Sequence, residues 1–252
     1  MGKIICAGLG PGDPELMSLK ADRVIRSAQH LAYFRKAGRP GKARRIVDGL
    51  LRPDVVEYAM EYPVTTELPV HDAQYNQLLA KFYDDWAARL AALAKHNEVV
   101  VLCEGDPFLY GSFMHLHVRL QAQANVQVIP GIPSMVGCWN ALDTPFTWGD
   151  DVLTVVMGTL PEDEMVKHMQ TADALVVMKV GNNLPTIRRA LVTAEKLEHA
   201  WLVICGTMPD QDVIRLSDFT AKTCPYFATV LVHGRGRRPI LQYPDQSDAS
   251  DS

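Results

Sequence analysis

Glu98-Val99-Val100-Val101-Leu102-Cys103-Glu104-Gly105-Asp106-Pro107-Phe108-Leu109-Tyr110-Gly111-Ser112 is the stretch on which the fold turns. Its first half is a short unbroken apolar run rich in β-branched residues. A strand buried on both faces reads this way, as in a sheet covered by helices. Its second half packs two carboxylates, two glycines, a phenol and a hydroxyl behind the strand's carboxyl end. Open α/β sheets place their ligands at such ends. A carboxylate suits an amino or ribose-hydroxyl group, and bare backbone suits a flat ring.

The same alternation recurs outward from this stretch. The pattern predicts strands at Lys3–Gly8, Gln29–Phe34, Glu98–Cys103 and Val126–Ile129. Ala73–His96 reads as a long amphipathic helix with Leu78, Leu79, Phe82, Trp86, Leu90 and Leu93 on its core face. After Asp143-Thr144-Pro145 the pattern restarts with strands at Val152–Met157, Ala174–Lys179, Trp201–Cys205 and Phe227–Val232, and helices at Glu162–Gln170 and Leu184–Lys196. The expectation is an α/β protein of two domains, residues 1–142 and 143–242, built on largely parallel sheets flanked by helices. The boundary falls near Asp143–Trp148, and the acidic, serine-rich tail 243–252 is expected to be disordered.

Composition narrows the functional classes. The chain has 252 residues, 48% hydrophobic and 21% charged, with net charge -4 and a pI near 6.1. No global basic field is available for nucleic acid. One local exception, Arg35-Lys36-Ala37-Gly38-Arg39-Pro40-Gly41-Lys42-Ala43-Arg44-Arg45, carries six cations and no acid. It reads either as a mobile anion-binding loop or as a solvated surface loop. The five cysteines lie too far apart for a zinc site. His115 and His117, two apart on a helix, do not share a face. No metal is expected. The opening Lys3-Ile4-Ile5-Cys6-Ala7 is a strand pattern without a charged leader, and no apolar stretch has membrane length. Both point to the cytoplasm, with no membrane partner.

Two further segments carry chemistry. Gly8-Leu9-Gly10-Pro11-Gly12-Asp13-Pro14 follows the first strand, yet Asp13 breaks the dinucleotide fingerprint and Pro11 removes an amide donor. A nicotinamide oxidoreductase is therefore disfavoured. Pro130-Gly131-Ile132-Pro133-Ser134 follows the Val126–Ile129 strand and opens an apolar helix, which is also ordinary capping chemistry. Three strand ends of one sheet, each followed by glycine and small polar residues, are expected to meet at one edge.

These segments, with Met178-Lys179, make the chain resemble the tetrapyrrole methylase family, the class III S-adenosylmethionine methyltransferases, over almost its whole length. Glu104–Ser112 followed by Phe113-Met114, with Arg35–Arg45 and Trp148-Gly149-Asp150-Asp151, is most similar to the branch that methylates precorrin-2 at C20 on the cobalamin route. The resemblance implies a bilobal fold of two α/β domains with mixed sheets flanked by helices, S-adenosyl-L-methionine held in a cleft between the lobes, and a homodimer. It assigns cofactor contact to Glu104, Asp106, Tyr110, Ser112, Ile132, Ser134, Met178, Gly206, Met208 and His233, the last three from their place after strands. Asp13 and Tyr110 become candidates for the proton acceptor, and Arg35, Lys36, Arg39, Lys42, Arg44 and Arg45 for docking the substrate's carboxylates. Methylation of another precorrin carbon or of cobalt-factor II, methylation of a ribose or a modified histidine by a relative, and a non-catalytic tetrapyrrole carrier are the alternatives.

Overall fold

The structure, a computed structural model, describes residues 2–65 and 72–238. The expected tail lies outside the described residues. The chain divides into two compact units, the first made of Met1–Cys138 with Gly206–Pro209 and the second of Trp139–Cys205 with the chain from Asp210 on.

In the first unit a five-stranded sheet runs in the order β3-β2-β4-β1-β5, with β1 Ile4–Gly8, β2 His30–Lys36, β3 Val56–Tyr62, β4 Val99–Cys103 and β5 Val126–Ile129. Every pairing in it is parallel. β1 and β4 are buried throughout, which their unbroken apolar sequences require of strands covered on both faces. Alternation sorts their side chains into two layers. Ile4 and Cys6 pack with Phe82, Leu90, Phe113 and Leu116, from α3 (Ala73–Leu93) and α4 (Phe113–Leu120). Ile5 and Ala7 pack with Ala21, Ile25, Ala43 and Ile46, from α1 (Leu19–Ser27) and α2 (Lys42–Ile46). A fifth helix, α5, spans Ser134–Asn140.

The second unit has a sheet in the order β6-β7-β10-β8-β9, from β6 Leu153–Met157, β7 Ala174–Met178, β8 Trp201–Ile204, β9 Asp212–Arg215 and β10 Ala228–Val232. Only β6 and β7 pair in parallel; β10 runs antiparallel to β7 and β8, and β9 antiparallel to β8. Helices α6 (Glu162–Thr171) and α7 (Leu184–Thr193) bury Met165, Met169, Leu184, Ile187 and Leu191 in its core.

All eight strands expected from sequence are present within a few residues, as are the three helices, although α3 stops at Leu93 and leaves Leu78 exposed while burying Tyr83 and Ala87. The first sheet is wholly parallel, as the apolar pattern suggests, and the second is mixed, as the family resemblance implies; only there does the largely parallel pattern fail. β3 and β9 are edge strands that the sequence pattern did not show.

Candidate functional site

β4, β1 and β5 are neighbours and run in parallel, so their carboxyl ends leave the sheet at one edge. There the loops that follow them interlock. Gly10 and Gly105 pair, with the Gly105 N–H donating to the Gly10 carbonyl at 2.8 Å. The turn after β4 then passes over the end of β1 to reach the loop after β5. Gly8 is what permits the crossing, since a Cβ there would stand 2.5 Å from the Gly131 nitrogen and 2.9 Å from Pro107 Cδ. Gly131 is equally confined, its Cβ position lying 2.1 Å from the Gly105 carbonyl oxygen. Both oxygens of Asp106 fasten the crossing: Oδ1 accepts the Phe108 N–H at 2.9 Å and Oδ2 the Gly131 N–H at 3.1 Å.

The returning segment Gly206–Pro209 closes against the same unit. Thr207 Oγ1 accepts the Asp13 N–H at 3.3 Å, Met208 covers Gly12, and Gly206 lies against Cys138 closely enough that a Cβ would meet its Sγ at 2.8 Å. Asp13 itself caps a short 3-10 turn, its Oδ1 accepting the Glu15 N–H at 2.8 Å. The assembled edge thus joins Asp13, Asp106, Gly131, Gly206 and Met208. Beside them Tyr110, with φ 54 and 45% exposed, and Ile132, 37% exposed, present their side chains, and half-buried Ser134 opens α5. No lysine, arginine or histidine occurs in residues 8–14, 104–112, 130–134 or 206–209. Such a lining of backbone, small residues and carboxylates, without a cation, suits a flat ligand that is neutral or positively charged and offers no counter-charge to a pyrophosphate.

Other expected site residues are placed differently. The Glu104 carboxylate faces the opposite neighbour of β4: its Oε1 accepts the Ala43 N–H of α2 at 2.8 Å. Burial pushes its pKa above the ordinary carboxylate value, offset in part by that N–H and by Lys42. Ser112 Oγ accepts the hydroxyl of Tyr62 on β3, so it braces the first unit's aromatic layer. In the second unit Met178 and His233 stand at opposite ends of the sheet. Val177 pairs with Val230 and Leu175 with Val232, so the end of β10 meets the start of β7. His233 there adjoins His199, whose Nδ1 is 2.9 Å from Arg235 Nη2 and whose pKa is lowered by burial and by the Arg235 charge.

The basic run is ordered rather than a free loop. Arg35 and Lys36 end β2, and Lys42, Arg44 and Arg45 belong to α2. Arg35 pairs with Glu61 at 2.9 Å, and Arg44 forms a two-pronged pair with Glu57 at 2.7 and 3.0 Å, both acids lying on β3. Arg39 and Arg45 remain exposed. The sequence pattern did not reveal the roles of Ala43, Glu57, Tyr62 or Thr207, because each acts through a partner elsewhere in the chain.

Comparison with known proteins agrees with this architecture. The family model of Tetrapyrrole (Corrin/Porphyrin) Methylases matches residues 3–219. A precorrin-2 C(20)-methyltransferase of a Sinorhizobium species is 48% identical over 240 residues, covering 95% of this chain and 98% of that protein. A cobalt-precorrin-2 C(20)-methyltransferase of Salmonella typhimurium is 27% identical over 237 residues, covering 92% and 96%. The crystal structure of uroporphyrin-III C-methyl transferase from Thermus thermophilus complexed with S-adenyl homocysteine shares the fold, with TM-score 0.65, 21% identity and coverage of 92% and 97%. With nearly the whole chain matched, and its first-unit loops interlocked at one sheet edge, the chain belongs to the tetrapyrrole methylase family.

Proposed function

We propose that the protein is an S-adenosyl-L-methionine-dependent C-methyltransferase that converts precorrin-2 to precorrin-3A by methylating C20, in cobalamin biosynthesis. The observation that carries this reading is the 48% identity, over nearly the full length of both chains, with the Sinorhizobium precorrin-2 C(20)-methyltransferase. The 27% identity with the cobalt-precorrin-2 enzyme supports it less than the metal-free relative does.

The edge formed by the loops after β1, β4 and β5 fits the methyl donor. Its cation-free lining accommodates adenine and a sulfonium, and Tyr110, Ile132 and Ser134 flank a backbone cradle that Asp106 holds in place. When bound, the cofactor supplies a methyl group on positively charged sulfur. The protein's own contribution is alignment, and positioning of two reactants can be worth roughly 7–11 kcal/mol. Asp13 is our candidate for stabilising developing positive charge and receiving the proton lost from the methylated carbon. Tyr110, exposed in a strained backbone conformation, is the second. The substrate carries several carboxylates, for which Arg39 and Arg45 are the exposed cations of the basic segment.

Incubating the purified protein with precorrin-2 and methyl-labelled cofactor, then locating the label by NMR, tests the reading. A label at C20 is expected. A label on another carbon, or turnover of the cobalt-containing substrate alone, overturns it.

A further inference from the structure

α2 is five residues long and begins where it lacks a cap of its own. Its N-cap residue, Gly41, offers no side-chain hydrogen bond. A serine or aspartate cannot be accommodated there, because a Cβ would lie 2.6 Å from a Tyr33 ring carbon and 2.9 Å from the Phe34 carbonyl oxygen. The first N–H groups of a helix need acceptors from outside it. Ala43 is only 2% exposed, so water is a poor substitute. The acceptor comes from a different strand, since Glu104, the residue after β4, places Oε1 2.8 Å from the Ala43 nitrogen. At the other end of the same segment Arg44 is tied to Glu57 on β3.

Resting on the proposed activity, we propose that Glu104 is a positioning residue: it supplies α2's missing cap, holds the cation-bearing segment 41–47 for the substrate's carboxylates, and takes no part in holding the methyl donor. The two acids of the Glu104-Gly105-Asp106 turn then divide their work. Asp106 reaches across β1 to fix the loop after β5, and Glu104 reaches to α2, the helix that follows β2, to fix the basic segment. One turn thereby keeps the donor's cradle and the cations in a constant relation within the first unit. A glutamate suits the task because its carboxylate accepts a buried N–H beside Lys42, whose charge opposes the penalty of burial.

The test compares the full-length wild type with Glu104→Ala and Glu104→Gln. Hydrogen exchange of peptides spanning residues 37–47 reads the cap without reference to turnover. Faster exchange is expected in Glu104→Ala, and near-wild-type exchange in Glu104→Gln, whose amide oxygen still accepts. Kinetics should show KM for precorrin-2 raised about tenfold in Glu104→Ala, equivalent to 1.4 kcal/mol, with kcat little changed and recovery in Glu104→Gln. Calorimetry should give an S-adenosylhomocysteine Kd within about twofold of wild type in both variants. Unchanged exchange in Glu104→Ala overturns the proposal, as does a loss of S-adenosylhomocysteine affinity matching or exceeding the loss for precorrin-2. A wild type inactive on precorrin-2 strikes the proposed activity instead, and the exchange comparison still decides whether Glu104 is the cap.

Discussion

Asp106 Oδ2 accepts the backbone N–H of Gly131 at 3.1 Å while Oδ1 holds Phe108, so one carboxylate satisfies donors on loops that follow two different strands of the first sheet. Removing it leaves the part-buried Gly131 N–H, and the more exposed Phe108 N–H, without this partner at the place where the donor's cradle is built. Asp106→Ala is expected to cost about 2 kcal/mol of stability and to weaken S-adenosylhomocysteine binding by at least about tenfold. Asp106→Asn, which keeps one good acceptor, should fall between. Chemical denaturation and calorimetry on the same samples check both.

Gly131 tolerates no side chain. A Cβ 2.1 Å from the Gly105 carbonyl and 2.9 Å from the Gly8 carbonyl carbon meets backbone on both sides, and backbone yields less readily than a side chain tip. Gly131→Ala should lose about 3 kcal/mol, at the upper end for overpacking, and should bind S-adenosylhomocysteine poorly even where it folds. Thermal unfolding with and without that ligand will show the wild type stabilised by it and the variant scarcely at all.

The cations of the basic segment separate into two groups. Arg44 is committed to Glu57 and to Asp48, whereas Arg39 and Arg45 face solvent. Arg44→Met should lower stability by about 1 kcal/mol, the scale of a partly exposed ion pair, with the loss reduced at high salt. Arg39→Gln combined with Arg45→Gln should leave stability unaltered and raise KM for precorrin-2 about tenfold or more. An unchanged KM in the double variant would remove the docking role.

Acid titration should distinguish Glu57 from Glu104. The Arg44 guanidinium, with the Tyr33 hydroxyl, holds the Glu57 carboxyl below its ordinary value, as Arg35 does for Glu61. Such groups add stability above the unfolded pKa of about 4.3 and lose it as pH falls through the lower folded value. Glu104 has the opposite sign. Its folded pKa is raised by burial, so its contribution is fullest below the unfolded value and is lost as pH rises through the folded one. Melting temperatures followed against pH should therefore fall less steeply toward acid in Glu57→Gln than in the wild type. Glu104→Gln should decline less between its acid maximum and neutrality.

Asp13 caps its turn with one oxygen that an asparagine also possesses. Asp13→Asn is accordingly expected to melt like the wild type yet to lose at least about tenfold in kcat, the lower range of general acid–base contributions. Retained kcat would show that the proton leaves by another route.

The apolar runs announced the strands because a strand buried on both faces has little choice of residue, as Val99–Leu102 shows. β3 escaped notice for a complementary reason. Val56-Glu57-Tyr58-Ala59-Met60-Glu61-Tyr62 carries acids whose arginine partners lie at residues 44 and 35, out of local view. The same remoteness made the basic run look like a free loop. Of the candidate site, the convergence of the loops after β1, β4 and β5 was legible, since glycine and proline after each strand mark where backbones approach. What a carboxylate or hydroxyl faces was not. Glu104 meets Ala43 and Ser112 meets Tyr62, separations of 61 and 50 residues that no local pattern encodes. His233 shows a further gap. Choosing a residue because it follows a strand presumes parallel neighbours, and β10 is antiparallel to both of its own.

The return of Gly206–Pro209 to the first unit has a consequence for biosynthesis of the polypeptide itself. A nascent chain released to residue 138 still lacks Thr207 and Met208, which occupy Asp13 and Gly12 in the finished molecule. The glycine loop after β1 must therefore wait on the ribosome, through the synthesis of some seventy further residues, for its covering piece. A gene fragment cut at the apparent border would yield a protein with that loop laid bare.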